Sequence, residues 1–384
     1  MSAGTPPDTT GAAVGRAGPY LSVIVPAHQA SGVLPDVLTA LRESRGMPVS
    51  WELIVVDDAS TDDTTLTAAR YADVIVALRG NPHGPAYARN RGVEASRGEV
   101  IVFVDSDVVV RPDALARLAR CMIERPEITA VFGAYDNRPR APGVVSQYRN
   151  LLHHWVHVTN GGEAETFWAG LGGVRRDAFM ALGMFNEWHF SHPQIEDIEL
   201  GRRLRQAGRR ILLVPEIQGT HLKRWTLAGM IGTDLRNRGV PWMWMVLREG
   251  ASEGSKTLNL RKREKICTAL AGLGFAALLA TPLTSVGRPL MAAGAACLVA
   301  VLGLNWKFLR YARRHGGWGT LAVAIPLQLA FYLLNVLSAV IGWIVYQLLG
   351  EPQPPPERQA QATLAPGTWP PPPKRPVHGL RGRA

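Results

Sequence analysis

Asp105-Ser106-Asp107 follows an unbroken apolar run over 100–104. Side chains alternate along an extended strand, so the two carboxylates share one side. Mg2+ and Mn2+ take oxygen ligands, commonly one or two carboxylates plus the oxygens of a bound phosphate. A second acidic group, Glu196-Asp197 with Glu199, supplies the residue type that a general base needs. The same acids also suit the positive end of a helix continuing through Arg202, Arg203 and Arg205, and composition alone favours that simpler reading. Two further polar groups close apolar runs: Pro26-Ala27-His28 after 21–25, and Asp57-Asp58 after 52–56. His221 lies beyond the run 211–214; it is equally suited to a metal ion or to a local hydrogen bond. His153, His154 and His157 fall at helical spacing. No carboxylate or cysteine stands near them in sequence, so they read as a polar helix face rather than a metal site.

Such groups act together only if the fold converges them. Apolar runs at 21–25, 52–56, 74–78, 100–104 and 211–214 read as buried strands. Between them, Val33, Val37, Leu38 and Leu41 recur at helical spacing, and 61–70 and 84–96 also read as helices. Alternating strands and helices predict an α/β fold with a doubly wound, mixed but mainly parallel sheet. In such sheets ligands bind beyond the carboxyl ends of the strands. The polar groups after 25, 56 and 104 stand at those ends. Asp, Ser and Pro are ordinary turn residues, yet three such endings together point to one crevice.

The remainder of the chain has another character. The 384 residues carry a formal charge of +11. Basic residues cluster beside apolar runs: Arg261, Lys262, Arg263 and Lys265 before 266–285, then Lys307, Arg310, Arg313 and Arg314 after 289–304. That placement fits cytoplasmic loops of a membrane protein and argues against nucleic acid as the partner. A third run, 320–349, exceeds one bilayer crossing; tilt, a kink at Pro326 or an interfacial start would absorb the excess. Segment 226–249 places Leu227, Met230, Ile231 and Leu235 on one helical face, with Trp242 and Trp244 following; this suits a membrane-interface helix. The expected division is a disordered leader (1–19), a catalytic domain (20–225), amphipathic interface helices (226–265), about three transmembrane helices (266–349) and a disordered Pro-rich basic tail (350–384). Cys121, Cys267 and Cys297 have neither metal-ligand nor redox spacing. The expected location is the cell membrane, multi-pass, with the catalytic domain cytoplasmic.

From residue 21 to about 225 the chain resembles family-2 glycosyltransferases of the GT-A fold. The resemblance rests on segments in order: Ser22 to Ala27; Glu52 to Asp62 with Asp57-Asp58; Gly84 to Gly92 with Ala88-Arg89-Asn90; Gly98 to Asp107; Gly170 to Arg176; Glu196-Asp197; and Leu204 to Gly208. It implies an inverting transfer from a nucleotide-sugar. Pro26, Ala27, His28, Asp57, Asp58, Arg89, Asp105 and Ser106 would then bind the donor. Asp105, Asp107 and His221 would hold Mn2+ or Mg2+, and Asp197 would be the base with Glu196 in support. A UDP-sugar is the favoured donor, with GDP- or dTDP-sugars as alternatives. The acceptor would be lipid-linked or a glycan at the membrane, with Trp168, Gly170, Arg224 and Trp225 on its side of the site. His221-Leu-Lys-Arg224-Trp225 resembles the Q-x-x-R-W motif of processive synthases but has His for Gln. That departure, with only three spans, argues against a polymer channel. A non-catalytic binding module would not need Asp105, Asp107 and Asp197 together. A dehydrogenase would need a G-x-G-x-x-G after the first strand, which is absent there.

Overall fold

The structure, a computed structural model, describes residues 18–249 and 262–350. The leader up to residue 17, the tail from residue 351 and Arg261 of the first basic cluster lie outside the described residues. In chain order the first elements are β1 (Leu21–Ala27), α1 (Leu34–Arg42), β2 (Trp51–Asp58), α2 (Thr64–Ala68), β3 (Val74–Leu78), α3 (Pro85–Glu94), β4 (Val100–Val104), β5 (Val108–Val110) and α4 (Ala114–Glu124). They are followed by β6 (Ile128–Tyr135), α5 (Val144–Val158), β7 (Gly162–Ala164), β8 (Leu171–Arg175), α6 (Arg176–Ala181), α7 (Glu196–Gln206) and β9 (Arg210–His221).

The strands form one sheet in the order β3-β2-β1-β4-β8-β6-β9-β5, with β7 pairing β9. β1 is parallel to β2 and β4, and β2 to β3. β8 runs antiparallel between β4 and β6, and β9 is parallel to β6. Hence β1, β2, β3, β4, β6 and β9 share a direction, while β5, β7 and β8 oppose it. β1 and β4 are buried along their whole lengths because helices cover both faces. Val23 and Val25 pack with Leu34, Leu38 and Leu118 on one face; Ile24 packs with Ala88, Phe179 and Leu200 on the other. The chain leaves β1 for β2 on one side, while β4 lies on the other. That reversal opens the crevice at the strand ends.

Beyond the sheet come α8 (Leu227–Gly232), a π-helical segment (Thr233–Gly239), α9 (Val240–Glu249), α10 (Lys262–Ala280), α11 (Gly287–Leu304) and α12 (Trp306–Leu349). The apolar stripe expected in 226–249 is split: Met230 is buried, but Leu227 and Ile231 remain exposed. Here the helix packs on one side only, against Trp225 and α12; the Trp244 indole donates to the Gly342 carbonyl at 3.2 Å. α10, α11 and α12 are long and apolar enough to cross a membrane. Gly274 and Gly294 let α10 and α11 touch, since a Cβ on Gly274 would sit 2.8 Å from Leu298 and 3.1 Å from the Gly294 carbonyl. The break in the third span falls at Gly317 (φ 77°), not at Pro326, which continues within helix. A positive φ suits glycine, and a Cβ there would meet nothing. The basic stretch 307–314, read from sequence as a loop, is helical. Its Phe308, Leu309 and Ala312 are buried with Tyr148, Leu152 and Trp225. A buried polar chain also joins the sheet domain to these helices: Tyr148 donates to Gln328 (3.0 Å), Gln328 to Asn305 (3.2 Å), and Tyr332 to Asn305 and Glu264 (3.1 and 2.7 Å).

Candidate active site

A single cavity of about 2050 Å3 runs from the strand ends of β1 and β4 to the seam between α10 and α12. Pro26, Ala27, His28 and Asp58 line its first part. The His28 ring bonds the Asp58 carbonyl at 2.8 Å through Nδ1, and the rest of the ring is exposed. Asp58 accepts the backbone N–H groups of His83 (2.9 Å) and Gly84 (2.8 Å), which fixes the turn into α3. Gly84 has φ 92°, and a Cβ there would come within 2.3 Å of the Ser191 carbonyl, so the turn and the 191–194 loop require glycine. Asp57 does not line the cavity. It is buried, accepts from Ser60 N–H at 3.0 Å and from the Thr65 hydroxyl, and so closes the loop after β2. Asp57 thus supports the loop from behind, whereas Asp58 faces the cavity.

Arg89 joins three elements. From α3 it donates to Asp105 after β4 and to Glu196 at the start of α7, each at 2.8 Å. Burial works against its charge, but Asp105, Glu196 and Asp197 outweigh burial and raise its pKa. It faces the cavity between two carboxylates rather than standing free. Asp105 is itself raised, by burial first, with Asp107 adding and Arg89 opposing. Asp197 sits beside this cluster, accepting from Ala169 N–H at 3.1 Å and its neighbour Ile198 N–H at 2.8 Å. Burial, then the charge of Glu196, push its carboxyl up to about 7. A half-buried carboxylate with that pKa can take a proton near neutral pH.

Ser106 and Asp107 complete the strand-end group. His221 Nε2 lies 3.4 Å from Asp107 Oδ2, while its Nδ1 lies 2.8 Å from Asn150 Oδ1. With Asn150 accepting, Nδ1 carries the hydrogen, and a neutral ring turns its Nε2 lone pair toward Asp107. Two acceptors so opposed suit a cation between them. Among the described residues no cluster of three His, Cys, Asp or Glu side chains is close enough to hold a metal. Asp107 and His221 thus fit a divalent ion whose other ligands come from phosphate oxygens and water. Asp105, already bonded to Arg89, is less available than the sequence implied.

On the far wall Trp168 stands edge-on to Tyr135, at 4.7 Å between ring centres. Gly170 does not line the cavity; a Cβ there would strike the Trp168 indole at 2.4 Å, so it gives that ring its place. Trp225 reaches the cavity but is buried among Tyr148, Met230 and Phe308, and Arg224 is exposed away from it. Of the residues expected on the acceptor side, Trp168 and Trp225 reach the cavity, and Gly170 and Arg224 do not.

The histidines of α5 are not a solvated polar face. His153 stacks on Tyr135 at 5.8 Å, and His157 meets Trp168 at 5.2 Å. His154 bonds the Tyr135 carbonyl at 2.6 Å and stacks on Tyr311. Burial lowers all three pKa values, that of His157 to about 4. His153 and His157 line the cavity with Tyr135, Arg238 and Trp242, which sequence reasoning missed. Tyr135 carried an available signal, since it too closes an apolar strand. Arg238 carried none.

The sheet order and the strand-end carboxylates are those of a GT-A-type fold. Residues 22–183 match the sequence model of Glycosyl transferase family 2, so that part of the chain is similar to family-2 glycosyltransferase domains. It is 36% identical to the succinoglycan biosynthesis protein ExoO of Rhizobium meliloti (strain 1021) over 122 residues, 31% of this chain and 33% of that protein. It is 34% identical to the putative teichuronic acid biosynthesis glycosyltransferase TuaG of Bacillus subtilis (strain 168) over 112 residues, 28% of this chain and 43% of that one. The matched segments thus span less than half the length of these curated relatives. Among solved structures, the mannosyltransferase PcManGT from Pyrobaculum calidifontis, in complex with GDP-Man and Mn2+, superposes with a TM-score of 0.51. At 19% identity, covering 84% of this chain and 87% of that one, it shares the fold.

Proposed function

We propose that this protein is an inverting, metal-dependent transferase moving a sugar from a nucleotide-sugar to a membrane-associated acceptor of the cell envelope. The observation that carries the reading is Asp197: its carboxyl, raised to about 7, opens on the same cavity as Asp58, Asp105 and Asp107. In this reading the donor lies along Pro26, Ala27, His28 and Asp58, with Ser106 and Asp107 at its diphosphate. Asp197 takes the proton of an acceptor hydroxyl while that oxygen bonds the sugar's anomeric carbon. The bond to the diphosphate breaks from the opposite face, which gives inversion. Arg89 holds Glu196 and Asp105 in place, so Asp197 keeps its pKa. Asp107 and His221 would hold Mn2+ or Mg2+, which when bound neutralises the leaving diphosphate.

The PcManGT complex, with its GDP-Man and Mn2+, supports the nucleotide-sugar and metal parts of this reading. The names of the succinoglycan and teichuronic acid relatives support a surface-glycan role. A UDP-sugar remains the favoured donor, with GDP- and dTDP-sugars as alternatives. A cytoplasmic catalytic side is supported by the basic helix 307–314 packing on α5, because cationic flanks favour the cytoplasm. The division into a catalytic unit (20–225), interface helices (226–265) and a multi-pass anchor (266–349) is part of the same proposal.

The test incubates detergent-solubilised protein with Mn2+ or Mg2+, a membrane lipid extract and labelled UDP-, GDP- and dTDP-sugars. One donor should label a lipid or glycan, and Asp197→Asn should lower the rate by about 10^2–10^4-fold. Equal transfer by variant and wild type would remove Asp197 from the mechanism.

A further inference from the structure

The cavity exceeds what one nucleotide-sugar needs; pockets for single small ligands run to about 1,000 Å3, and this one holds about 2050 Å3. Its second half is walled by the π-helical segment, α9, α10 and α12. From one helix face Thr233, Asn237, Arg238 and Trp242 point to it. A π turn inside a helix often marks a functional site.

Arg238 is the unusual member. Its side chain is half-buried and lines the cavity. Among the described residues its hydrogen-bond partner is His153 Nε2, at 3.2 Å. A guanidinium only donates, so His153 must accept there and is neutral on that nitrogen. The nearest acid on its own helix, Asp234, is bonded through both oxygens to Arg149. Arg238 therefore carries a positive charge with no carboxylate paired to it among the described residues. The Trp242 indole N–H is also buried without a partner. A cation and an N–H donor on one cavity wall together ask for an anionic acceptor.

Past Arg238 the cavity becomes an apolar groove between Gly272 and Leu273 of α10 and Phe331, Val336, Ala339 and Val340 of α12. Leu273 and Val340 are exposed, so the groove opens on the surface that faces lipid if these helices span a membrane. Among the described residues the acid at this groove is Glu264, bonded to Arg263 and Tyr332. Lys265 and Lys307 stand at its mouth.

We propose that Arg238, with Trp242 and His153 around it, seats the phosphate of a lipid-linked acceptor whose hydrocarbon chain lies in the α10–α12 groove. The occupant is one molecule, a phosphate joined to a long hydrocarbon, because only that pairs an enclosed cation with an adjoining apolar channel open to lipid. This deepens the transferase reading and rests on it for the acceptor's role. The phosphate anchors the acceptor, and the group beyond the phosphate reaches Asp197.

The experiment measures binding to the full-length protein in detergent, without turnover. The probes are a long-chain polyprenyl monophosphate, the polyprenol of the same chain, a short-chain prenyl phosphate and inorganic phosphate. Wild type should bind the long-chain phosphate at least about tenfold tighter than the polyprenol or inorganic phosphate. Arg238→Gln should reduce it to the level of the polyprenol, and Arg238→Lys should keep most of the preference. Ala339→Trp should weaken the long-chain phosphate but not the short-chain one. Unchanged binding in Arg238→Gln overturns the seat. Inorganic phosphate binding as tightly as the lipid makes this a free-anion site and overturns the groove. Nucleotide-sugar affinity, read in the same preparations, separates the two claims. If donors bind and transfer while no preference for lipid phosphate exists, this inference falls and the transferase reading stands. If lipid phosphate is preferred and no donor binds, the seat stands and the transferase reading falls.

Discussion

Two arginines face the same cavity under opposite conditions. Arg89 lies between Asp105 and Glu196, each at 2.8 Å, and its pKa is raised. Arg238 has a neutral histidine at 3.2 Å; burial, and then Arg149, lower its pKa. The first is fully compensated by the protein, so it holds α3, β4 and α7 together and sets the charge around Asp197. The second is compensated by no carboxylate among the described residues, so its counter-charge has to come from what enters the cavity. One cation is part of the frame; the other is part of the recognition surface. The contrast yields predictions of opposite sign.

The largest effect belongs to Arg89. Arg89→Leu leaves two carboxylates facing each other in a buried site, and breaking such an ion pair costs about 3–5 kcal/mol. Thermal melting of the purified protein should fall accordingly, and Arg89→Lys should recover only part, since an ammonium cannot fork to both acids. A melting curve unchanged in Arg89→Leu would mean that Asp105 and Glu196 are held by other groups.

Next comes pH. Asp197 must be ionised to act as base and its carboxyl is pushed up to about 7. Well below that value kcat/KM should fall about tenfold per unit, and about fiftyfold from pH 7 to pH 5. Stability moves the other way. Between the ordinary value of 3.8 and about 7, the native state keeps a proton that the unfolded chain releases. Raising pH through this window therefore lowers stability. Asp197→Asn should flatten that slope in a melting series. An acid limb near pH 4 would show that Glu196 and burial do not set this group.

The strand-end half of the cavity was legible in the sequence for a geometric reason. Pro26, Asp58, Asp105 and Asp107 each stand at the end of a strand, and parallel strands bring their ends together whatever the loops do. The sequence did not separate Asp57 from Asp58, yet adjacent residues on a strand face opposite ways: Asp58 meets the cavity and Asp57 meets Thr65. The half walled by helices depends on which helix face packs where. His153 and His157 were seen at the right spacing but placed on the solvent side, because nothing in α5 announces that Tyr135 and Trp168 cover it. Arg238 is one of several arginines in a polar stretch, and only the packing of the π-helical segment on α12 turns it inward. The three spans were plain from hydropathy, whereas the break at Gly317 depends on a backbone angle that composition does not encode.

A smaller effect separates the acid pair at the diphosphate end from the Arg89 cluster. Asn150 acts on His221 through Nδ1 alone, 2.8 Å away. Asn150→Ala frees the ring to turn and should weaken Mn2+ affinity, measured with UDP present, by about 10–100-fold. The Arg89 cluster and the melting temperature should hardly move. Mn2+ affinity equal to wild type would take His221 out of the metal site and leave Asp107 to act without it.

The smallest effect is the sharpest test of the contrast. If Arg238 belonged to the frame, Arg238→Gln would destabilise the protein as Arg89→Leu does. Its charge, however, is half-buried and sits near Arg149, and among the described residues no carboxylate forms an ion pair with it, Asp234 and Asp197 acting only from a distance. Removing an uncompensated charge from an enclosed site relieves a desolvation cost. A glutamine amide can still donate to His153 Nε2. Arg238→Gln should therefore leave stability unchanged or raise it by about 1 kcal/mol in the ligand-free protein. The sign should reverse when an anionic ligand is added, because wild type gains binding free energy that the variant lacks. A variant that melts several degrees lower without ligand would place Arg238 with Arg89, as a residue the fold itself requires.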